Sequence, residues 1–300
     1  MTSSSKPLQV LGIDLGGTAI KFGRFDAQGH GLQFLTLPTP QPATPDAVLQ
    51  AIAHAIPQID PDGLTKRIGI GTPGPADATE RVARLAINLP DWVNVPVADW
   101  IEQQTQRRCT IANDANCAAL GEAWKGAGRN FAHVVLLTLG TGVGGGIVIN
   151  KQLFVGAHGA AGELGSITFT PDGHPCNSGN RGSLEQQLCI RAIQRRTGKD
   201  PEVLGQLAQS GDAEAIVFWQ DYGRDLGIGL ATLLYILNPE AILIGGGISA
   251  SSEFFFPAAI AEINQRVSLP NREGIQLLKA ELGNQAGMVG AAKLALDLTF

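Results

Sequence analysis

One pattern occurs twice in this chain and restricts its fold more than any other feature: an apolar strand that runs straight into glycine and threonine. It reads Leu11-Gly12-Ile13-Asp14-Leu15-Gly16-Gly17-Thr18 in the first half and Leu136-Leu137-Thr138-Leu139-Gly140-Thr141-Gly142 in the second. After the first turn the chain resumes as a strand over residues 20–25, alternating around Lys21 and Arg24. After the second it resumes over residues 146–150, once Gly140 to Gly145 have been passed. A dinucleotide-binding βαβ unit places a helix after its glycines, so the strand that follows here argues against that fold. Two such halves suggest an old duplication, and the expectation is two similar α/β lobes facing each other across a cleft.

Between the repeats lies the most informative polar pair. Residues 109–112 read as a short buried strand, Asn113 and Asp114 follow it, and an alanine-rich helix runs on to Trp124. Asn and Asp are strong N-cap residues, so a plain helix cap is the simplest reading of both. Their place at the carboxyl end of a strand is also where open α/β sheets bind ligands. Glycine lets a backbone approach phosphate oxygens closely. A carboxylate between two such loops makes Asp114 a candidate base for phosphoryl transfer.

The remaining segments supply a frame. Pro45 suits the first position of a helix whose stripe is Val48, Leu49, Ile52 and Ile56, with Pro57 expected to end it. Residues 67–71 form a buried strand closed by Thr72-Pro73-Gly74-Pro75. Asn88 and Trp92 share a loop; the ring reads as packing, and the amide is open to either a structural or a binding role. Residues 156–182 are mostly irregular, with a short strand at 166–169. Ser183 and Gln186 have the spacing of a capping box, Glu185 falls in that first helical turn, and Gly198 stops the helix. Leu226, Leu230, Leu233, Leu234 and Leu237 mark a buried helix ending at Asn238-Pro239. A strand at 241–244 then enters a third glycine loop, Gly245-Gly246-Gly247, ahead of a helix near Ser252. A helix over 284–298 is expected to cross back to the first lobe. The predicted division is therefore 1–113 plus the helix at about 286–300 for the smaller lobe, and 114–285 for the larger.

Composition excludes several classes. A net charge of -5 offers no basic footprint for nucleic acid or an anionic membrane. The longest apolar run, 226–237, is too short to span a bilayer. Cys109, Cys117, Cys176 and Cys189 show no CxxC pair, and without a signal peptide free thiols in a cytoplasmic protein are expected.

Five motifs in fixed order, Asp14-Leu15-Gly16-Gly17-Thr18, Gly71-Thr72-Pro73-Gly74, Asn113-Asp114-Ala115-Asn116, Leu139-Gly140-Thr141-Gly142 and Glu163-Leu164-Gly165, together resemble the ROK family of repressors and sugar kinases, most closely its glucokinase-like kinases. The resemblance covers nearly all of residues 11–292. It implies the actin-like ATPase fold, with two RNase H-like lobes around a central cleft, and an ATP-dependent hexose kinase acting most readily on the 6-hydroxyl of glucose. Other hexoses (fructose, mannose, N-acetylhexosamines), polyphosphate as donor, and a non-catalytic sugar-binding role stay open. Through the resemblance, Asp114 is the catalytic base. Gly16, Gly17, Thr18, Gly140, Thr141 and Gly142 surround the phosphates of ATP, Asp14 holds Mg²⁺ through water, Lys21 is open to either a phosphate contact or the role of a solvated strand lysine, and Gly245, Gly246 and Gly247 border the adenosine. Asn88, Asn113, Asp114, Glu163 and Glu185 contact the sugar. The expected partners are the sugar and further copies of the chain, as a homodimer or homotetramer, with neither nucleic acid nor membrane. A regulator of the same family carries an N-terminal DNA-binding domain, for which the 13 residues before Asp14 leave no room.

The chain departs from the family at one place. Most members build a zinc site from a His three residues after the Glu163 position and three Cys in a CxCGxxGCxE run. Here Ser166 stands at the His position, and Cys176, Ser178 and Ser183 occupy the three Cys positions ahead of Glu185. One thiolate does not make a tetrahedral zinc site, so no structural zinc is expected. His158 and His174 nearby read as loop histidines. The loop must then be held by other means, for which Arg181 and a Ser183 cap are the candidates.

Overall fold

The structure, a computed structural model, describes residues 7–86 and 89–298. The first apolar run forms β1 (Gln9–Leu15), which turns back as β2 (Ala19–Asp26) and β3 (Gly31–Pro38). Then follow α1 (Pro45–Ile59), β4 (Arg67–Thr72), a ribbon of β5 (Ala83–Leu85) and β6 (Val93–Val95), α2 (Val97–Thr105) and β7 (Arg108–Asn113). The order in the sheet is β3-β2-β1-β4-β7, with β1, β4 and β7 parallel and the β1-β2-β3 meander antiparallel.

Helix α3 (Asp114–Lys125) leads into the second run of β8 (Val134–Leu139), β9 (Val143–Ile149) and β10 (Gln152–Leu153). A helical stretch follows, with α4 (Glu185–Leu188), α5 (Ile190–Thr197), α6 (Pro201–Gln209) and α7 (Ala213–Leu237). The chain closes with β11 (Ala241–Gly245), α8 (Ser252–Arg266), α9 (Leu269–Arg272), β12 (Gln276–Lys279) and α10 (Ala286–Asp297). The second sheet has the order β10-β9-β8-β11-β12, and its strand directions repeat those of the first. The sequence repeat is thus a repeat of topology. Among the described residues, no helix is long and apolar enough to cross a membrane.

Period-two alternation assigns the faces. Leu11, Ile13 and Leu15 of β1 join Val48, Leu49, Ile52 and Ile56 of α1 in one core, while Val10 packs on the other side with Phe25, Met288 and Val289. In β8, Val135, Leu137 and Leu139 meet α7 and α8, and Val134 and Leu136 meet Ala119 and Ala123 of α3. Asp14 and Thr138 therefore sit at equivalent positions, each at the carboxyl end of its central strand. Between the sheets, α10 lies on β1 and β4, α3 lies on β8 and β9, and the two helices pack on each other. Their crossing is backbone against backbone. A Cβ at Gly290 would fall 1.7 Å from the Cys117 carbonyl oxygen, and one at Gly121 would fall 2.4 Å from that of Ala286; α10 sits as closely on the first sheet, where a Cβ at Gly69 would fall 1.8 Å from the Ala291 carbonyl oxygen.

Several local expectations are corrected. Pro57 does not end α1, because the helix already has its turn and runs on to Ile59. Ser183 caps nothing with its side chain, and Leu184 is the N-cap of α4. The expected helix from 183 breaks at Cys189, which adopts an extended conformation between α4 and α5; Gly198 then closes α5 in the left-handed region. Residues 166–169 are not a strand. They leave a 3-10 turn at Leu164–Ser166 and contribute a single bridge, Thr168 to Ser183. Trp92 is packing, as expected: it is buried and donates its indole N–H to the Ala43 carbonyl at 2.9 Å.

Candidate active site

A cleft of about 930 Å³ opens between the two sheets and takes lining residues from both. Its floor is the start of α3. Asn113 ends β7, and its side-chain oxygen accepts from the N–H groups of Ala115 at 2.9 Å and Asn116 at 3.2 Å, while its amide donates to the Gly74 carbonyl at 3.2 Å. The bland reading of Asn113 as a cap is thus what the geometry gives, and that cap fixes the next residue. Asp114 accepts from the Ala115 N–H at 2.8 Å and leaves its carboxylate open to the cleft. The surrounding walls, and then the charges of Asp14 and Glu163, push its pKa up to about 6. A carboxylate of that pKa is ionised at neutral pH and basic enough to take a proton in a transition state.

Asp14 lies at the end of β1, with its pKa also raised by burial; Lys21 from β2 opposes this shift across 3.4 Å. Lys21 also donates to the Asn284 carbonyl at 3.1 Å, so it spans from β2 to the segment before α10. The carboxylate oxygens of Asp14, at the cleft wall, suit a hard cation such as Mg²⁺.

The glycines of the three loops differ in what holds them. A Cβ on Gly17, Gly140 or Gly247 would meet no protein atom within 4 Å, and none of the three has a positive φ. Nothing in the protein itself requires glycine at these three positions, and around Gly140 and Gly247 the space kept open is the cleft's. Gly246, by contrast, has φ +80°, and a Cβ there would lie 2.2 Å from the Leu139 carbonyl oxygen, so it is structural. Gly140, Thr141, Gly142, Gly245, Gly246 and Gly247 all line the cleft. Gly16, Gly17 and Thr18 are not among its lining residues; their turn is tied back by Thr39, whose hydroxyl donates to the Gly16 carbonyl at 2.7 Å.

Glu163 and Glu185 face the same cleft from the second half. Burial raises the pKa of Glu163, and the charge of Glu185 adds to it. One oxygen of Glu185 accepts from the Val143 N–H at 3.0 Å, and the other lies 3.7 Å from the Cys176 thiol. The irregular segment that carries these carboxylates is held by Asn180 rather than by Arg181 or a Ser183 cap. The Asn180 amide donates to the Ser166 carbonyl at 2.8 Å and the Thr168 hydroxyl at 3.0 Å, and its oxygen accepts from the Arg181 N–H at 2.7 Å. Among the described residues, no group of three or more His, Cys, Asp or Glu is placed to hold a metal ion. Asn88 lies outside the described residues.

Sequence reasoning missed part of the wall. Thr138, Lys279, Glu281, Asn284 and Gly287 all line the cleft. Thr138 was legible in principle, because the internal repeat aligns it with Asp14. The residues from 279 to 287 carry no local pattern that marks them.

The geometry agrees with known relatives. The chain matches the ROK family over residues 10–298. A glucokinase of Thermotoga maritima is 34% identical, over 96% of this chain and 97% of its own. Among solved structures, a ROK hexokinase of Thermus thermophilus superposes with a TM-score of 0.86 at 35% identity, covering 96% of this chain and 98% of that one. A ROK family glucokinase of Streptomyces griseus, solved with glucose and AMPPNP, gives 0.79 at 32% identity over 96% and 99%. The repeated sheet order is that of the actin-like ATPase fold these sugar kinases share, and with the match running through both sheets and the cleft between them, the chain belongs to the ROK family.

Proposed function

We propose that the protein is an ATP-dependent hexose kinase that transfers the terminal phosphate of ATP to the 6-hydroxyl of glucose. The observation that carries this reading is Asp114: a carboxylate with its pKa raised to about 6, open to a cleft whose second glycine loop keeps ligand-sized space around Gly140. The glucokinase relatives supply the substrate class.

In this reading the sugar lies against Asn113, Glu163 and Glu185. Each carboxylate holds neighbouring hydroxyls, so an epimer would leave a buried polar group unpaired. Asp114 takes the proton of the 6-hydroxyl as that oxygen attacks the terminal phosphorus; the bond to the bridging oxygen breaks, and ADP departs with the electron pair. The open glycines Gly17 and Gly140 allow backbone N–H groups to approach the phosphates, and Lys21 offsets their charge. Mg²⁺, held by Asp14 through water, would neutralise charge on the phosphate oxygens.

The working division is 1–113 with 286–300 against 114–285, with the α3–α10 crossing between them. Closure of the two on sugar is the expected motion, since a half-open cleft would admit water to the phosphate. A coupled ADP-release assay over a panel of hexoses tests the assignment, with Asp114→Asn as control. Glucose-dependent ADP release that disappears in the variant is the expected result. Turnover surviving in Asp114→Asn would sink the role given to that residue.

A further inference from the structure

Glu122 is a fully buried carboxylate with no part in the chemistry above. It sits near the end of α3, the helix that begins at Asp114. Its partners are three backbone N–H groups, one from the turn just after α3 and two from a stretch about 160 residues further on. Ala127 donates at 2.9 Å and Glu281 at 3.1 Å to one oxygen, and Leu282 donates at 2.7 Å to the other. Room for the carboxylate comes from Gly126, where a Cβ would fall 1.9 Å from its oxygen.

We propose that Glu122 is a positioning residue for the nucleotide end of the cleft, holding the 281–284 segment against α3 by accepting two of its N–H groups. This rests on the kinase reading, and it adds a residue that touches neither reactant. The segment in question joins β12 to α10, and Glu281, Gly283 and Asn284 within it line the same cleft as Gly245, Gly246 and Gly247. Its far end is gripped from the other sheet, where Lys21 donates to the Asn284 carbonyl. The segment is thus held at one end by a carboxylate and at the other by an ammonium, with its exposed side turned toward ligand.

The chemistry explains why the residue is an acid. Three donors converge on one buried point, and an ionised carboxylate is acceptor-only, with two oxygens to receive them. A glutamine of the same shape would turn an N–H₂ group toward a backbone N–H. A buried charge without a cation is costly, and oriented backbone N–H groups are one of the few environments that stabilise it. A residue needed only to fill space would not require this arrangement.

The test is Glu122→Gln, assayed with the full-length enzyme. The KM for ATP is expected to rise about tenfold, while kcat at saturating ATP and the KM for the sugar stay within roughly twofold. A lowered Tm with the ATP KM unchanged would overturn the proposal, as would a uniform loss in all three parameters. A second measurement does not depend on turnover. Hydrogen exchange at the Glu281 and Leu282 amides should be slow in the unaltered protein and fast in Glu122→Gln, with no comparable change in β1 or β8. Fast exchange in the unaltered protein would refute the assignment. Failure of the unaltered protein to release ADP with any hexose would instead count against the kinase reading, and the exchange result would still decide whether Glu122 holds the segment.

Discussion

Glu185 and Val143 are joined by a hydrogen bond of 3.0 Å, from the Val143 N–H to a carboxylate oxygen. Val143 opens β9, directly after the glycine loop 140–142, so the carboxylate assigned to the sugar also braces the loop assigned to the phosphates. We expect Glu185→Ala to raise the KM for both reactants, by roughly 10–100-fold for the sugar, the loss that accompanies removal of a charged hydrogen-bond partner. Steady-state kinetics with each substrate varied in turn will read this. An effect confined to the sugar would mean that the brace is dispensable.

Asp114→Asn keeps the shape of the side chain and removes its basicity. A general base contributes roughly 10²–10⁴-fold, so kcat should fall by that factor. ATP affinity, measured by calorimetry without turnover, should stay unchanged because the residue meets the phosphate only during transfer.

The raised pKa of Asp114 sets an acid limb. Below about pH 6 the carboxylate is protonated, and kcat/KM should fall about tenfold per pH unit. The sign for stability is opposite to that of a paired carboxylate. The native pKa lies above the ordinary carboxylate value of 3.8, so the native state binds this proton more tightly than the unfolded chain does. The resulting stabilisation is complete below pH 3.8 and is lost as the pH rises through about 6. Asp114→Asn should therefore melt at or above the temperature of the parent at neutral pH, with the difference shrinking toward pH 4. A variant that is less stable at pH 7 would show that the charge is compensated in a way the geometry does not reveal.

Gly140→Ala and Gly246→Ala separate the two kinds of glycine. A Cβ at Gly140 meets no protein atom within 4 Å, so the variant should be as stable as the parent or gain up to about 1 kcal/mol from the stiffer unfolded chain. Its ATP KM should nevertheless rise. Gly246→Ala should lose stability outright, since φ +80° and a contact of 2.2 Å to the Leu139 carbonyl oxygen leave a side chain no room. Thermal melts paired with ATP titrations check both.

Zinc should be substoichiometric in metal analysis of the purified protein, because Cys176 is the one thiolate left among Ser166, Ser178 and Ser183. With Asn180 holding the same segment by two donated hydrogen bonds, Asn180→Ala should raise the sugar KM and spare that of ATP. A zinc chelator that abolishes turnover in the presence of excess Mg²⁺ would contradict this account.

How far the sequence reached depended on whether each feature is local. The two apolar strands with their glycine turns, the α3 cap at Asn113 and the α7 leucine stripe are patterns within about ten residues, where period and capping rules apply. The bonds from Glu185 to Val143 and from Glu122 to Leu282 join residues 42 and 160 apart, and no periodicity marks such pairs. The Ser183 capping box failed for a related reason. The spacing was right, but a bridge to Thr168 takes that stretch of backbone, and the helix starts beyond it. The family resemblance, not the physics of the stretch, singled out Glu163 and Glu185 from the other loop acids.

The seating of α10 on β1 and β4 has a consequence for how the chain reaches this form on the ribosome. The first sheet is complete in hydrogen bonds once residue 113 is made, yet the face that includes Gly12 and Gly69 lies bare until residues 286–297 arrive to cover it. The earliest-made half is thus the one that waits longest for its cover, and during that wait its apolar side is open to chaperones or to neighbouring nascent chains.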